Sequence, residues 1–172
     1  SVAQAVAMCE VYAAASGESG KSPPFYLTHI TGIYDEEIQA QVEEQGIDIA
    51  PELVRQAGTI VMRKQYRVIK ERGFDTAMLG GGARAPYHFT EWVGGDAHIT
   101  INWSTFVELM EIDPPIEDRI HVEDDPAVIE ELRDKYGVQV LHGWGMTETS
   151  PIGVINQPTP ENNSLIDRKS VV

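Results

Sequence analysis

Two short stretches carry the residue types and spacing for phosphate chemistry. Residues 15–22 read ASGESGKS, which satisfies the relaxed phosphate-loop pattern [AG]-x-x-x-x-G-K-[ST]. In a working loop of that kind backbone N–H groups cradle the phosphates, and the lysine and the last hydroxyl reach the phosphates and a metal ion. Residues 80–85 read GGGARA and contain G-x-G-x-x-A. A glycine-rich turn after a strand offers N–H donors to an anion, and the planar fork of Arg84 adds charge-assisted ones.

Each motif depends on the elements around it. A phosphate loop must follow a strand and open a helix, so that the helix amides and dipole face the anion. At 15–22 the order is reversed. An Ala- and Val-rich helical run over 1–15 precedes the motif, and Pro23 and Pro24 follow it. The two prolines remove donors and steer Ser22 away from helical geometry. The stretch reads as a polar helix-to-strand loop over 17–24. The turn at 80–85 does stand in the required order, after FDTAMLG (74–80) and before a short helix over 86–93. The next strand, HITIN (98–102), ends in Asn102 and not in the acid that holds a ribose, so a dinucleotide fingerprint is disfavoured. A turn suited to phosphate, with Gly81, Gly82 and Arg84, is what remains.

The other elements follow from the same punctuation. FYLTHITG (25–32) is aromatic and β-branched and reads as a buried strand. A short helix over 35–45 is closed by Gly46. Pro51 opens a long helix that runs to about Arg72, with Gly73 as its stop. Residues 103–110 are helical, and Asp125 caps a helix that begins with Pro126. VQVLH (138–142) reads as a fourth strand, and the tail is loop-like. Strands alternating with helices predict an α/β fold with parallel pairing. A whole (β/α)8 barrel needs about 250 residues, so 172 residues could hold only part of one.

Composition excludes several classes. The formal charge is −14, with 27 acids against 13 bases. That argues against nucleic acid and against an anionic membrane surface as partners. No apolar run approaches the ~20 residues of a membrane span. Cys9 alone rules out a disulfide framework and fits a reducing, cytoplasmic setting. The five histidines show no HExxH spacing, so no metal site is expected. Arg63, Arg67 and Lys70 share one helical face, read as a solvated outer face. His29 reads as a hydrogen-bonded core histidine, and Glu117, Asp118 and Arg119 as solvated.

Three segments in order, FYLTHITGIYDE (25–36), RQAGTIVMRKQYRVIKERGFDTAMLGGGAR (55–84) and GGDAHITINWSTFVEL (94–109), resemble the C-terminal part of the transaldolase family. The resemblance implies a partial (β/α)8 barrel over 1–135, in which 25–32 and 74–80 are the last two strands. It implies a sugar-phosphate substrate, a lysine Schiff base and a place in carbohydrate metabolism. Thr28 falls on the family's phosphate-contacting Ser, and Arg84 on its phosphate-binding Arg after the last strand. The family's other Arg is unmatched, because residues 32–34 read GIY. Its Schiff-base lysine would lie upstream. None of Lys21, Lys64, Lys70, Lys135 and Lys169 lies on a strand facing a barrel interior. No catalytic residue and no cofactor is therefore assigned, and the chain alone is expected to be inactive. A partial barrel also leaves strand edges bare, which predicts self-association through them.

The stretch KYGVQVLHGWGMTETSPIGVI (135–155) is similar to acyl-CoA synthetases and related adenylate-forming ligases. Within WGMTE (144–148), the resemblance implies that Trp144 lies against adenine, Thr147 contacts the AMP phosphate and Glu148 holds Mg²⁺. A flat ring, a hydroxyl and a hard-oxygen ligand suit those tasks. The segment is bounded as 136–157, ahead of a disordered tail over 158–172. Those ligases also use a Ser/Thr/Gly-rich phosphate loop, which GESGKS does not replace. A ligase fragment is thus the alternative function. The closing DRKSVV (167–172) resembles translated sequencing adapter, and a chimeric, non-functional translation is the third expectation.

Overall fold

Hydroxyl groups and glycines set the ends of the first helix. In the computed structural model, which describes residues 1–136, 142–144 and 154–156, helix α1 spans Val2–Ser19. Ser1 caps it by accepting the Gln4 N–H at 3.3 Å, and Gly20 ends it in the left-handed region at φ 65°. The helix thus runs four residues beyond the expected boundary at Ala15. Ser19 Oγ donates to the Ala15 carbonyl at 2.7 Å, which ties this polar last turn down. The loop begins only at Lys21 and leads directly to strand β1, so no helix opens after Ser22.

Strand β1 (Tyr26–Ile30) pairs in parallel with β2 (Ala77–Gly81), and β2 pairs in parallel with β3 (Ala97–Ile99). The order is β1-β2-β3, an open sheet whose outer strands each pair on one side. The α/β class with parallel strands is what forms, and the described strands close no barrel. Thr31 and Gly32, expected to end the strand, instead open helix α2 (Thr31–Gln45), with Thr31 Oγ1 donating to the Gly81 carbonyl at 3.2 Å. Strand β3 stops earlier than expected because Asn102 is taken by a cap. Its Oδ1 accepts the Thr105 N–H at 2.8 Å and starts helix α5 (Trp103–Ile112).

Strand alternation gives the sheet two unlike faces. Leu27, His29, Met78 and Gly80 point to one side, opposite helix α3 (Pro51–Glu71). That helix opens on Pro51 at its first position and buries Val54, Gly58, Met62, Tyr66 and Ile69 at three- and four-residue steps. Ala5 and Cys9 of α1, together with Trp92 and Ile120, complete the core cluster around Met62 and Met78. Each fully buried side chain of this size contributes roughly 1.5–3 kcal/mol. On the other face Tyr26 and Ile30 are 52% and 41% exposed.

A short helix α4 (Tyr87–Thr90) follows β2, and helix α6 (Pro126–Tyr136) begins after Asp125 accepts the Ala127 N–H at 2.9 Å. The chain divides into two compact units, Ser1–Leu132 and Arg133–Val172. In the second, β4 (His142–Trp144) pairs antiparallel with β5 (Val154–Asn156). Most of the strand expected at 138–142, and the tail from 158, lie outside the described residues. Among the described residues, no helix is long and apolar enough to cross a membrane.

Candidate functional site

The glycine turn at the carboxyl end of β2 brings several expected residues together. Gly82 sits at φ 61°, a left-handed conformation that L side chains rarely adopt. A Cβ on Gly81 would lie 3.3 Å from the Thr28 methyl, so these two positions are neighbours across adjacent strands. Gly32 approaches the same turn: a Cβ there would meet the Gly82 carbonyl and lie 2.8 Å from Arg84 Cγ. Thr28, Gly81, Gly82 and Arg84 therefore lie in one locality.

The donors of that locality are engaged inside the protein. The Arg84 and Ala85 N–H groups both donate to His88 Nδ1, at 2.9 and 3.3 Å. Because Nδ1 accepts, the ring proton resides on Nε2, which donates to Asp35 Oδ2 at 2.7 Å. Tyr87 OH donates to the same oxygen. Burial, and then this bond to Asp35, push the Tyr87 hydroxyl pKa upward. His88 is buried and Asp35 largely so. The exposed Arg84 guanidinium donates to Glu36 Oε1 at 2.5 Å, and that partner raises its pKa. An anion at this turn would compete with Glu36 for Arg84 and with His88 for the amides.

His29 lies mid-β1 and is 2% exposed. Its Nδ1 donates to Gln65 Oε1 at 2.8 Å, and its ring stacks on Tyr34 at 4.9 Å. Burial lowers its pKa to about 4, against the opposing bond from Gln65. It is a hydrogen-bonded core histidine, although its Nε2 and the nearby Trp92 Nε1 have no hydrogen-bond partner.

A buried arginine network has no local signal in the sequence. Helical periodicity predicts a solvated Arg63, yet it is 6% exposed. Its Nε donates to the Arg119 carbonyl at 3.0 Å, its Nη1 pairs with Asp124 at 2.7 Å, and its Nη2 pairs with Glu91. Arg119 pairs with the same Glu91 at 3.2 Å. Helix periodicity put Arg63 beside Arg67 and Lys70, but its partners lie 28 to 61 residues away and leave no local signal. Asp118 also has a partner, His121 at 2.8 Å, which holds its carboxyl below the usual range. Lys70 alone of the basic row keeps a solvated role, pairing with exposed Asp96 at 2.8 Å. Among the described residues, no group of three or more His, Cys, Asp or Glu could hold a metal ion.

In the second unit, Trp144 is the last residue of β4, in register with Val154. Thr147 and Glu148 lie outside the described residues. The antiparallel pair of β4 and β5 thus carries the first residue of the WGMTE motif.

Comparison with known proteins bears on this motif. No family model matches the chain. The chain is 50% identical over 40 residues to a 3-methylmercaptopropionyl-CoA ligase of Ruegeria pomeroyi, and 45% identical over 40 residues to the enzyme of that name from Ruegeria lacuscaerulensis. It is 56% identical over 39 residues to a medium-chain-fatty-acid–CoA ligase of Ectopseudomonas oleovorans. Each match takes in 23% of this chain and 7% of the relative. These relatives overturn the expectation of transaldolase chemistry, and with it the Schiff base, the pentose phosphate pathway and the sugar-phosphate partner. What the comparisons support is the resemblance of one short segment to acyl-CoA ligases of the AMP-binding type.

Proposed function

We propose that the chain carries part of the nucleotide-binding wall of an AMP-forming acyl-CoA ligase, in the segment 136–157. The observation that carries this reading is the identity of 50% over 40 residues to an acyl-CoA ligase, in a chain that holds WGMTE. In this reading the Trp144 ring packs on adenine, Thr147 donates to the AMP phosphate, and Glu148 faces Mg²⁺. One carboxylate, completed by phosphate oxygens and water, suits that ion. The ion would neutralise phosphate charge. A fatty or thioether-bearing acid is the substrate class suggested by the relatives' names. The segment supplies a wall and no reactive group, so binding without acyl activation is the expected behaviour.

Equilibrium dialysis with labelled AMP tests it. Binding that is lost in Trp144→Ala and Thr147→Ala supports the reading; no binding by the unaltered chain sinks it. A hydroxylamine trap for acyl-adenylate is expected to stay blank.

A second reading, a join of two unrelated coding segments, is supported by the small share of the chain, 23%, that the ligases cover. Amplifying one uninterrupted template across codons 120–172 from source DNA would overturn it.

A further inference from the structure

We propose that helix α5 is a docking element for a cationic amphipathic helix of a partner protein. Large apolar side chains that face solvent gather between residues 101 and 116, where Ile101, Trp103, Phe106, Met110, Ile112 and Ile116 are all exposed. Trp103, Phe106 and Met110 follow one another at steps of three and four, so they form one stripe along α5. Trp103 is 77% exposed, and its ring stacks on Phe106 with centroids 5.5 Å apart. Thr105, buried, and Leu109, half-buried, lie toward the other side of the helix, so the stripe is turned away from the core. An exposed apolar patch of this kind marks an interaction site, and Trp is among the side chains that most often anchor one.

Charge selects the occupant. Between residues 97 and 118 the sequence holds Glu108, Glu111, Asp113, Glu117 and Asp118 and no Lys or Arg. Asp118 is paired with His121, whereas Glu108, Glu111, Asp113 and Glu117 are exposed and make no ion pair among the described residues. Uncompensated carboxylates beside an apolar stripe favour a partner that brings cations of its own. The same charge repels a second copy, an anionic lipid surface and nucleic acid. Three anchors over two turns, about 10 Å of helix, are too few for a domain-sized interface and match the i, i+3, i+7 rows used in recognition of single helices. A helix with Lys or Arg bordering an apolar row meets both demands. Its row packs on Trp103, Phe106 and Met110, and its cations reach Glu108 and Glu111 beside the stripe.

A fluorescein-labelled leucine–lysine peptide with amphipathic helical spacing serves as the probe, titrated with the full chain and read by anisotropy. A peptide of the same composition in scrambled order measures attraction by charge alone. The amphipathic peptide is expected to bind about tenfold more tightly than the scrambled one. Trp103→Ala is expected to weaken its binding about tenfold, with circular dichroism unchanged because the ring is mostly in solvent. Glu108→Lys combined with Glu111→Lys keeps the stripe, and is expected to weaken binding by a similar factor and to lessen its salt dependence. Val11→Ala, at a 71% exposed apolar position of α1, is expected to leave the affinity unchanged. Equal affinity for the two peptides would overturn the proposal, as would indifference to Trp103→Ala or to the paired lysine substitutions, or an equal loss in Val11→Ala. So would a dimer in sedimentation velocity that Trp103→Ala dissolves, or adsorption to phosphatidylcholine vesicles through Trp103, since either gives the stripe another occupant.

Discussion

His88 Nδ1 accepts the backbone N–H of Arg84 at 2.9 Å, and through this bond a buried side chain fixes the glycine turn from inside. The opposite ring nitrogen holds Asp35 of α2 at 2.7 Å, so one imidazole joins the turn after β2 to the helix after β1. The turn is a braced structural corner whose two inward amides are already satisfied.

Replacing His88 therefore does more than remove a ring. His88→Ala leaves the Arg84 and Ala85 amides without their acceptor and the Asp35 carboxylate with Tyr87 as its remaining donor. An unsatisfied buried polar group costs roughly 1–3 kcal/mol, so a loss of about 3 kcal/mol is expected in urea denaturation. His88→Gln, whose side-chain oxygen can accept from the amides, is expected to recover part of it.

Arg63 yields the largest single loss. Arg63→Ala strands Asp124, at 9% side-chain exposure, and leaves Glu91, at 17%, to Arg119 alone beside a vacated site. Breaking a buried pair by removing one partner costs roughly 3–5 kcal/mol. Arg67→Ala, on the same helix but without that network, is expected to change the denaturation midpoint little. Equal effects of the two substitutions would show that the network is not what anchors residues 119–124.

His29 makes stability depend on pH with a definite sign. Its pKa is about 4 in the folded protein, below the ordinary 6.5 that the unfolded chain shows, because burial disfavours the charged ring. Between these values the unfolded state binds more protons, so stability rises with pH and falls on acidification. The slope from this one group is at most about 1.4 kcal/mol per pH unit. His29→Phe is expected to flatten the difference between pH 7 and pH 5 in matched denaturation curves, whatever it does to the absolute value.

Gly32 tests how closely α2 approaches the turn. A methyl group there would collide with the Gly82 carbonyl and lie 2.8 Å from Arg84 Cγ. The carbonyl belongs to the backbone and cannot swing aside, so Gly32→Ala is expected to cost about 1–3 kcal/mol. Gly17→Ala, with open space around it in α1, is expected to stabilise slightly by helix propensity. Thermal melts of the two variants should move in opposite directions.

Local rules made much of this fold legible. The alternation in FYLTHI, Pro51 at the first position of α3, Gly46 and Gly73 past helix ends, and Asp125 before Pro126 all act within a few residues, so sequence sufficed to place the elements they bound. Two prolines after Ser22 were likewise enough to dismiss ASGESGKS, and WGMTE pointed to the ligases through its own letters. Boundaries moved where competing contacts lay far off. Thr31 joined a helix because its hydroxyl finds Gly81, fifty residues on. Tertiary structure alone decided that Arg63 is buried, that His88 and Glu36 take the donors the glycine turn seemed to offer an anion, and which sheet face stays bare. The partners of Arg63 and the Glu36 that holds Arg84 come from 28 to 61 residues away, and His88, only four residues from Arg84, is oriented by Asp35 at a separation of 53, so local spacing encodes none of these pairings.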